Sequence, residues 1–175
     1  MSLAPHPPVL GFAAFSGTGK TTLLLKLIPR LREQGLRIGL VKHAHHGFDI
    51  DHPGKDSHEL RLAGASPVLI ASSVRRAMIT ERPLPHDPVL AEELACFAGA
   101  DVDLILVEGF KRERFPKIEL HRPALGKPLL FPDDGTIVAI ATDAPLPENP
   151  PIPVLDLNQT GEIAAFILHH FLRRE

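Results

Sequence analysis

The chain has 175 residues, 44% of them hydrophobic and 23% charged; this length suits one domain, and this balance excludes disordered, collagen-like and coiled-coil chains. A formal net charge of −2, with Lys and Arg dispersed and no Trp or Tyr, argues against binding nucleic acid through a basic face or by stacking bases. Cys96 is the only cysteine, which excludes intrachain disulfides and thiolate metal clusters and makes a reducing cytoplasm the expected home.

Met1 to Pro8 holds three prolines and lacks a basic segment followed by an apolar one, and no later apolar run approaches the roughly 18 residues of a membrane span. Neither export nor membrane insertion is expected. Val9 to Phe15 is a short apolar strand that ends in a Gly-rich turn. Lys20 to Gln34 then carries Leu24, Leu27, Ile28 and Leu31 at helical spacing, with Gly35 as the stop and Pro29 predicting a kink. Arg37 to Val41 is a second strand, and the polar stretch Lys42 to Gly54 after it reads as a site loop.

Asp56, Ser57 and Glu59 suggest a capping arrangement, with Asp56 accepting from first-turn amides ahead of a helix through Ala65. Pro67 to Ala71 and Arg76 to Thr80 are further strands, and Val89 to Ala98 is helical with Leu90, Leu94 and Phe97 on one side. Val102 to Val107, apolar apart from Asp103, suits a strand buried on both faces, and Lys117 to His121 is expected to be its antiparallel neighbour. Ile137 to Ala141 and Val154 to Leu157 complete the strands, and Gly161 to Leu172 is a closing amphipathic helix. The alternation of strand and helix predicts an α/β fold: one doubly wound, mostly parallel sheet with an inserted antiparallel strand pair.

Ala14-Phe15-Ser16-Gly17-Thr18-Gly19-Lys20-Thr21 follows the phosphate-loop pattern G-x-x-x-x-G-K-[ST] in all but its first position, where Ala14 replaces glycine. Such a loop works because closely spaced glycines let backbone amides converge on phosphate oxygens at the positive end of a helix. Lys20 then reaches the outer phosphates, and the Thr21 hydroxyl is offered to magnesium. The surrounding strand, loop and helix supply the context that the pattern requires.

With that loop in view, the sequence resembles the molybdopterin-guanine dinucleotide biosynthesis adapter protein B family over nearly its whole length. The resemblance is carried by Phe15-Ser16-Gly17-Thr18-Gly19-Lys20-Thr21-Thr22, Lys42-His43-Ala44-His45-His46 with Asp49 and Asp51, Gly54-Lys55-Asp56-Ser57, Ala63-Gly64-Ala65, and Asp103 through Glu108-Gly109-Phe110-Lys111. It implies GTP binding with magnesium, weak GTP hydrolysis, a homodimer, and association with the guanylyltransferase that joins GMP to the molybdenum cofactor.

Other positions are open to two readings. Glu108 ends the most apolar strand and precedes Gly109, where P-loop proteins keep the carboxylate that meets magnesium or its waters; the plain alternative is an exposed strand-end acid. Asp103, five residues earlier, would sit about 16 Å away at ~3.3 Å per residue, so it is expected at the opposite edge of the sheet. Lys42 and His43 are candidates for a place beside the phosphates, and Asp49 and Asp51 for outer contacts to magnesium; a solvated loop is the alternative for all four. His43, His45 and His46 lack the i, i+4 spacing of a helical zinc pair. Thr142-Asp143 is a reduced guanine signature, in which Asp143 would accept from the two donors of the base edge, against a simple turn. Arg122, Lys111 and Arg112 are candidates to meet an anion such as a pterin phosphate, or are surface charge.

The resulting expectation is a GTP-binding adapter in molybdenum cofactor biosynthesis, with molybdopterin as a carried ligand. Binding would be served by Ser16, Gly17, Thr18, Gly19, Lys20, Thr21, Thr22, Lys42, His43, Gly109 and Asp143, and any slow hydrolysis by Lys20 and Glu108. Thr21, Glu108, Asp49 and Asp51 form the magnesium set. Two rivals remain, a small-molecule P-loop kinase and a metallochaperone GTPase.

Overall fold

The computed structural model describes residues 6–44 and 47–173. They fall into two compact units, Ala44–Asp87 and the remainder of the chain on either side of it.

The larger unit is built on a six-stranded sheet. Its strands are β1 (Val9–Ala13), β2 (Ile38–Lys42), β5 (Leu104–Glu108), β6 (Lys117–His121), β7 (Ile137–Thr142) and β8 (Val154–Asp156), numbered with the two strands of the smaller unit, β3 (Val68–Ala71) and β4 (Arg76–Ile79). The order is β2-β5-β1-β6-β7-β8 and every pairing is parallel. Helix α1 (Lys20–Glu33) and α4 (Thr160–Ala165) cover one face, where Leu24, Leu27, Leu31, Ile163 and Ile167 pack on Leu10, Phe12, Leu106 and Ile118. Leu90 and Leu94 of α3 (Leu90–Ala95) cover the other face against Val9, Val41, Ile105 and Val107. Each fully buried aliphatic side chain of this kind contributes about 1.5–3 kcal/mol, so the central strands are held from both sides. The doubly wound parallel sheet and the separate antiparallel pair are as the sequence predicts.

Three expectations need correction. Lys117–His121 is not antiparallel: β6 lies between β1 and β7 and is parallel to both. Its polar row, Lys117, Glu119 and His121, is buried. Lys117 Nζ donates to the Glu113 carbonyl at 2.7 Å and to Thr136 Oγ1 at 2.8 Å, and pairs with Asp134 at 3.2 Å. Glu119 accepts the amides of Leu130 and Phe131 at 2.7 and 2.9 Å; burial pushes its pKa up while those amides pull it back. A buried charge is tolerated when fully partnered in this way.

The capping arrangement is also absent, because Asp56 is the first helical residue of α2 (Asp56–Leu62) and no side chain caps that end. Ser57 donates its hydroxyl to Asp51 at 3.0 Å, and Glu59 faces His58. At the C-terminus, the single predicted helix is α over Thr160–Ala165 and π over Phe166–Phe171, where the Leu172 amide reaches the Ile167 carbonyl at 2.9 Å. Pro29 lies inside α1, which continues as one helix through it.

The smaller unit contains α2 and the β3–β4 hairpin, paired Val68↔Ile79 through Ala71↔Arg76. Among its described residues no apolar side chain is buried, and Asp51 alone is. No helix among the described residues is long and apolar enough to cross a membrane.

Candidate functional site

Because all six strands of the large sheet run the same way, their C-terminal ends share one edge. β1 is central, and the chain leaves it for β2 on one side while β6, β7 and β8 lie on the other, which makes this edge a topological switch point. The phosphate loop leaves β1 here. Lys42 and His43 leave β2, Glu108 and Gly109 leave β5, Arg122 leaves β6 and Asp143 leaves β7.

The loop already has the shape of a cradle. Gly17 and Gly19 have φ of 83° and 99°, and no atom lies within 4 Å of where a side chain at Gly17 would begin. Thr18 is buried, and its hydroxyl donates to the Phe15 carbonyl at 2.9 Å, which tightens the turn. Ala14 is buried too, so the departure from glycine at the first position packs into the interior. Ser16, Thr21 and Thr22 are exposed. Lys20 Nζ donates to the Ala14 carbonyl at 3.4 Å. Burial first, and Lys111 second, hold the Lys20 pKa below its ordinary 10.5, with Glu108 pulling the other way. A partly desolvated ammonium whose hydrogen-bond partner is a single carbonyl is disposed to receive an anion.

Glu108 meets Lys42, Oε2 to Nζ 3.5 Å, across the β2–β5 register in which the two residues are partners. The His43 amide donates to the Glu108 carbonyl at 2.9 Å. Gly109 is required where it stands: its φ is 98°, and an added Cβ would lie 2.6 Å from that of His43. Phe110, also at positive φ (53°), lies against the His43 ring, centroids 5.0 Å apart and the planes tilted by 36°. A non-glycine residue held in this region costs about 1 kcal/mol or more, a cost met here by packing beside the site. Asp103 is at the opposite edge, as expected, where it accepts from the Arg37 amide and Nε, both at 2.9 Å.

Asp143 is placed at this edge but is already engaged. Its Oδ2 pairs with Arg122 NH1, and Arg122 Nε donates to the Thr18 carbonyl at 2.9 Å. The pair occupies one of the two carboxylate oxygens. Arg122 is the residue whose position the sequence did not disclose, since nothing local distinguishes it from surface charge.

Asp49 and Asp51 lie in the smaller unit, in a network of their own. Asp49 accepts the Asp51 amide at 2.9 Å and pairs with Arg61, which also pairs with Glu81 at 2.7 Å. The Asp51 amide and the Arg61 guanidinium hold the Asp49 pKa down. Asp51 Oδ1 accepts from the His52 amide and Ser57, and its buried Oδ2 has no partner. Among the described residues no three His, Cys, Asp or Glu side chains are grouped to hold a metal ion; His45 and His46 lie outside those residues.

Residues 9–143 match the family described as Molybdopterin guanine dinucleotide synthesis protein B. The molybdopterin-guanine dinucleotide biosynthesis adapter protein of Escherichia coli (strain K12) is 47% identical over 162 residues, covering 92% of this chain and 91% of that one. The protein of the same name from Haemophilus influenzae is 45% identical over 169 residues, 94% of this chain and 91% of that one. Among solved structures, a MobB protein homolog from Bacillus stearothermophilus superposes with a TM-score of 0.68 at 26% identity, covering 94% of this chain and 97% of that one.

Proposed function

The chain belongs to the molybdopterin guanine dinucleotide synthesis protein B family, and on that premise we propose that it is a cytoplasmic GTP-binding adapter in molybdopterin guanine dinucleotide biosynthesis. It would support a molybdenum cofactor guanylyltransferase and hydrolyse GTP slowly. The observation that carries the nucleotide reading is the phosphate loop, with left-handed Gly17 and Gly19 and Lys20 waiting on the Ala14 carbonyl at the switch point of the sheet.

In this reading Ser16 through Thr22 surround the phosphates, with Lys42, His43 and Gly109 beside them. Thr21 and Glu108 would hold magnesium. The oxygen chemistry of the Thr21 hydroxyl and the Glu108 carboxylate fits a hard cation. When bound, the ion neutralises phosphate charge. Slow turnover follows from what the loop lacks. The arginine beside it, Arg122, is committed to Thr18 and Asp143, and Glu108 is paired with Lys42. Arg122 is thus not free to arrive as charge develops on a transferring phosphoryl group, and the loop carries no glutamine suited to hold an attacking water. Molybdopterin is the proposed carried ligand.

A homodimer is part of the proposal, supported by the smaller unit. Leu60, Leu62, Leu69, Val74 and Met78 are exposed by 61% or more. Apolar surface of this kind on a unit without a buried apolar core is what a second copy would cover.

The test is paired. GTP turnover by the purified protein should fall well below the roughly 1–100 s⁻¹ of kinases, and guanylation of the cofactor by the partner should rise when the wild-type chain is added but not when Lys20→Ala is. Fast turnover, or phosphoryl transfer to a metabolite, would favour a kinase; an indifferent partner would remove the adapter role.

A further inference from the structure

The Arg122 guanidinium makes two contacts at once, Nε to the Thr18 carbonyl at 2.9 Å and NH1 to Asp143 Oδ2, and its NH2 lies 3.9 Å from where a side chain at Gly19 would begin. Its side chain is about one-third exposed, that of Asp143 about one-fifth. Thr18 and Gly19 share one peptide unit. In a planar trans peptide the C=O and the following N–H point in opposite directions, so a donor that holds the carbonyl also sets the direction of the amide. The Gly19 amide itself has no acceptor among the described residues, and Gly19 at φ 99° can rotate where another residue could not. Arg122 is the side chain that holds this peptide unit from outside the loop.

We propose that Arg122 is a positioning residue for the phosphate loop: it draws the Thr18 carbonyl outward so that the Gly19 amide faces the phosphates, and Asp143 anchors Arg122 in that pose instead of reading the base. The planar fork suits the task, because a guanidinium presents donors in fixed directions to two acceptors, which an ammonium on a flexible stem does not. The inference rests on the nucleotide-binding reading and adds to it which residue orients the cradle.

The experiment is calorimetric titration of wild-type, Arg122→Ala, Arg122→Lys, Asp143→Ala and the Arg122→Ala/Asp143→Ala pair with GTP, GDP and ATP in magnesium. Alongside it, the Gly19 amide resonance is followed in ¹⁵N spectra as GDP is added. Arg122→Ala should weaken all three nucleotides by about tenfold or more, by a common factor. Arg122→Lys should recover only part of the loss. Asp143→Ala should lose less than Arg122→Ala, leave the ratio of GTP to ATP affinity unchanged, and add nothing to Arg122→Ala in the pair. The Gly19 amide should shift on GDP binding in wild type and fail to reach the same position in saturated Arg122→Ala, a signature that a general loss of stability would not produce.

Wild-type affinity in Arg122→Ala would overturn the inference while leaving the nucleotide reading intact. So would full rescue by Arg122→Lys, which would reduce the residue to a charge near the phosphates, or a collapse of GTP over ATP preference confined to Asp143→Ala, which would return Asp143 to the base. A wild-type chain that binds no nucleotide would remove both readings.

Discussion

Leu27, Leu31, Leu106, Ile118 and Ile163 in the sheet-bearing unit are fully buried or nearly so, whereas Leu60, Leu69, Val74 and Met78 in Ala44–Asp87 stand 61–90% exposed. The first group has sheet on one side and helix on the other. The second belongs to a seven-residue helix and a two-stranded hairpin of four-residue strands, elements too short to bury one another. What the smaller unit has instead is polar: Arg61 joins Asp49 to Glu81, and Asp51 gathers Ser57 and the His52 amide. A hydrophobic core therefore sustains one unit, and hydrogen bonds and ion pairs organise the other. Exposed ion pairs are worth little, typically 0–1 kcal/mol, so this comparison is also one of stability.

The sharpest way to break it is truncation. Leu106→Ala should cost about 2–5 kcal/mol in urea unfolding, because it opens a cavity between packed layers, and Met78→Ala should stay within about 0.5 kcal/mol in dilute protein. Comparable losses at both positions would mean that Met78 is covered in solution.

Next in size is ligand binding, which is proposed for the core unit. Lys20→Ala should remove about 1.5–3 kcal/mol or more of GTP binding without disturbing the fold, and wild type should prefer GTP to ATP by a similar amount. Competition calorimetry measures both. Equal binding of the two nucleotides would refute the guanine preference.

The exposed face of the smaller unit gives a third, smaller effect. If a second copy covers it, Met78→Lys should lower the apparent mass in sedimentation at micromolar concentration and leave urea unfolding of the dilute monomer unchanged. A wild-type chain that sediments as a monomer would instead leave the apolar face to another protein.

The smallest effect is in pH. The folded state holds the Lys20 pKa below 10.5, so at neutral pH its charge costs stability. That cost is present below the folded value and is relieved as pH rises through it toward 10.5, where folded and unfolded chains both lose the proton. Lys20→Met should therefore raise the unfolding midpoint slightly at pH 7, and its advantage should shrink at alkaline pH. Saturating GTP should reverse the ranking in favour of wild type. An identical midpoint for the two proteins across the whole range would show that the ammonium is not strained in the free protein.

Much of the candidate site was legible because it is local. The phosphate loop needs eight consecutive residues between a strand and a helix, and the sequence places them there; Glu108 and Gly109 announce themselves by ending the most apolar strand. The strands and helices were legible for the same reason, since alternation and helical spacing are set by near neighbours. Misreadings came where a residue's partner is distant. The direction of β6 is set by its distant neighbours β1 and β7, and its polar row is held by Asp134, Thr136 and the amides of Leu130 and Phe131. Asp56 looks like a cap until the helix starts one residue too early for it to serve.

By itself, then, the sequence determined the elements, the cradle and the family, all of which are written in runs of adjacent residues and carried by backbone preferences and side-chain periodicity. Only the tertiary structure decided the strand order β2-β5-β1-β6-β7-β8 and the burial of Lys117 and Glu119. It alone also brought Arg122, 104 residues from Thr18 along the chain, onto the loop carbonyl. Such choices depend on which distant surfaces meet, and the same arginine that is ordinary charge in one packing becomes the side chain that orients an amide in another.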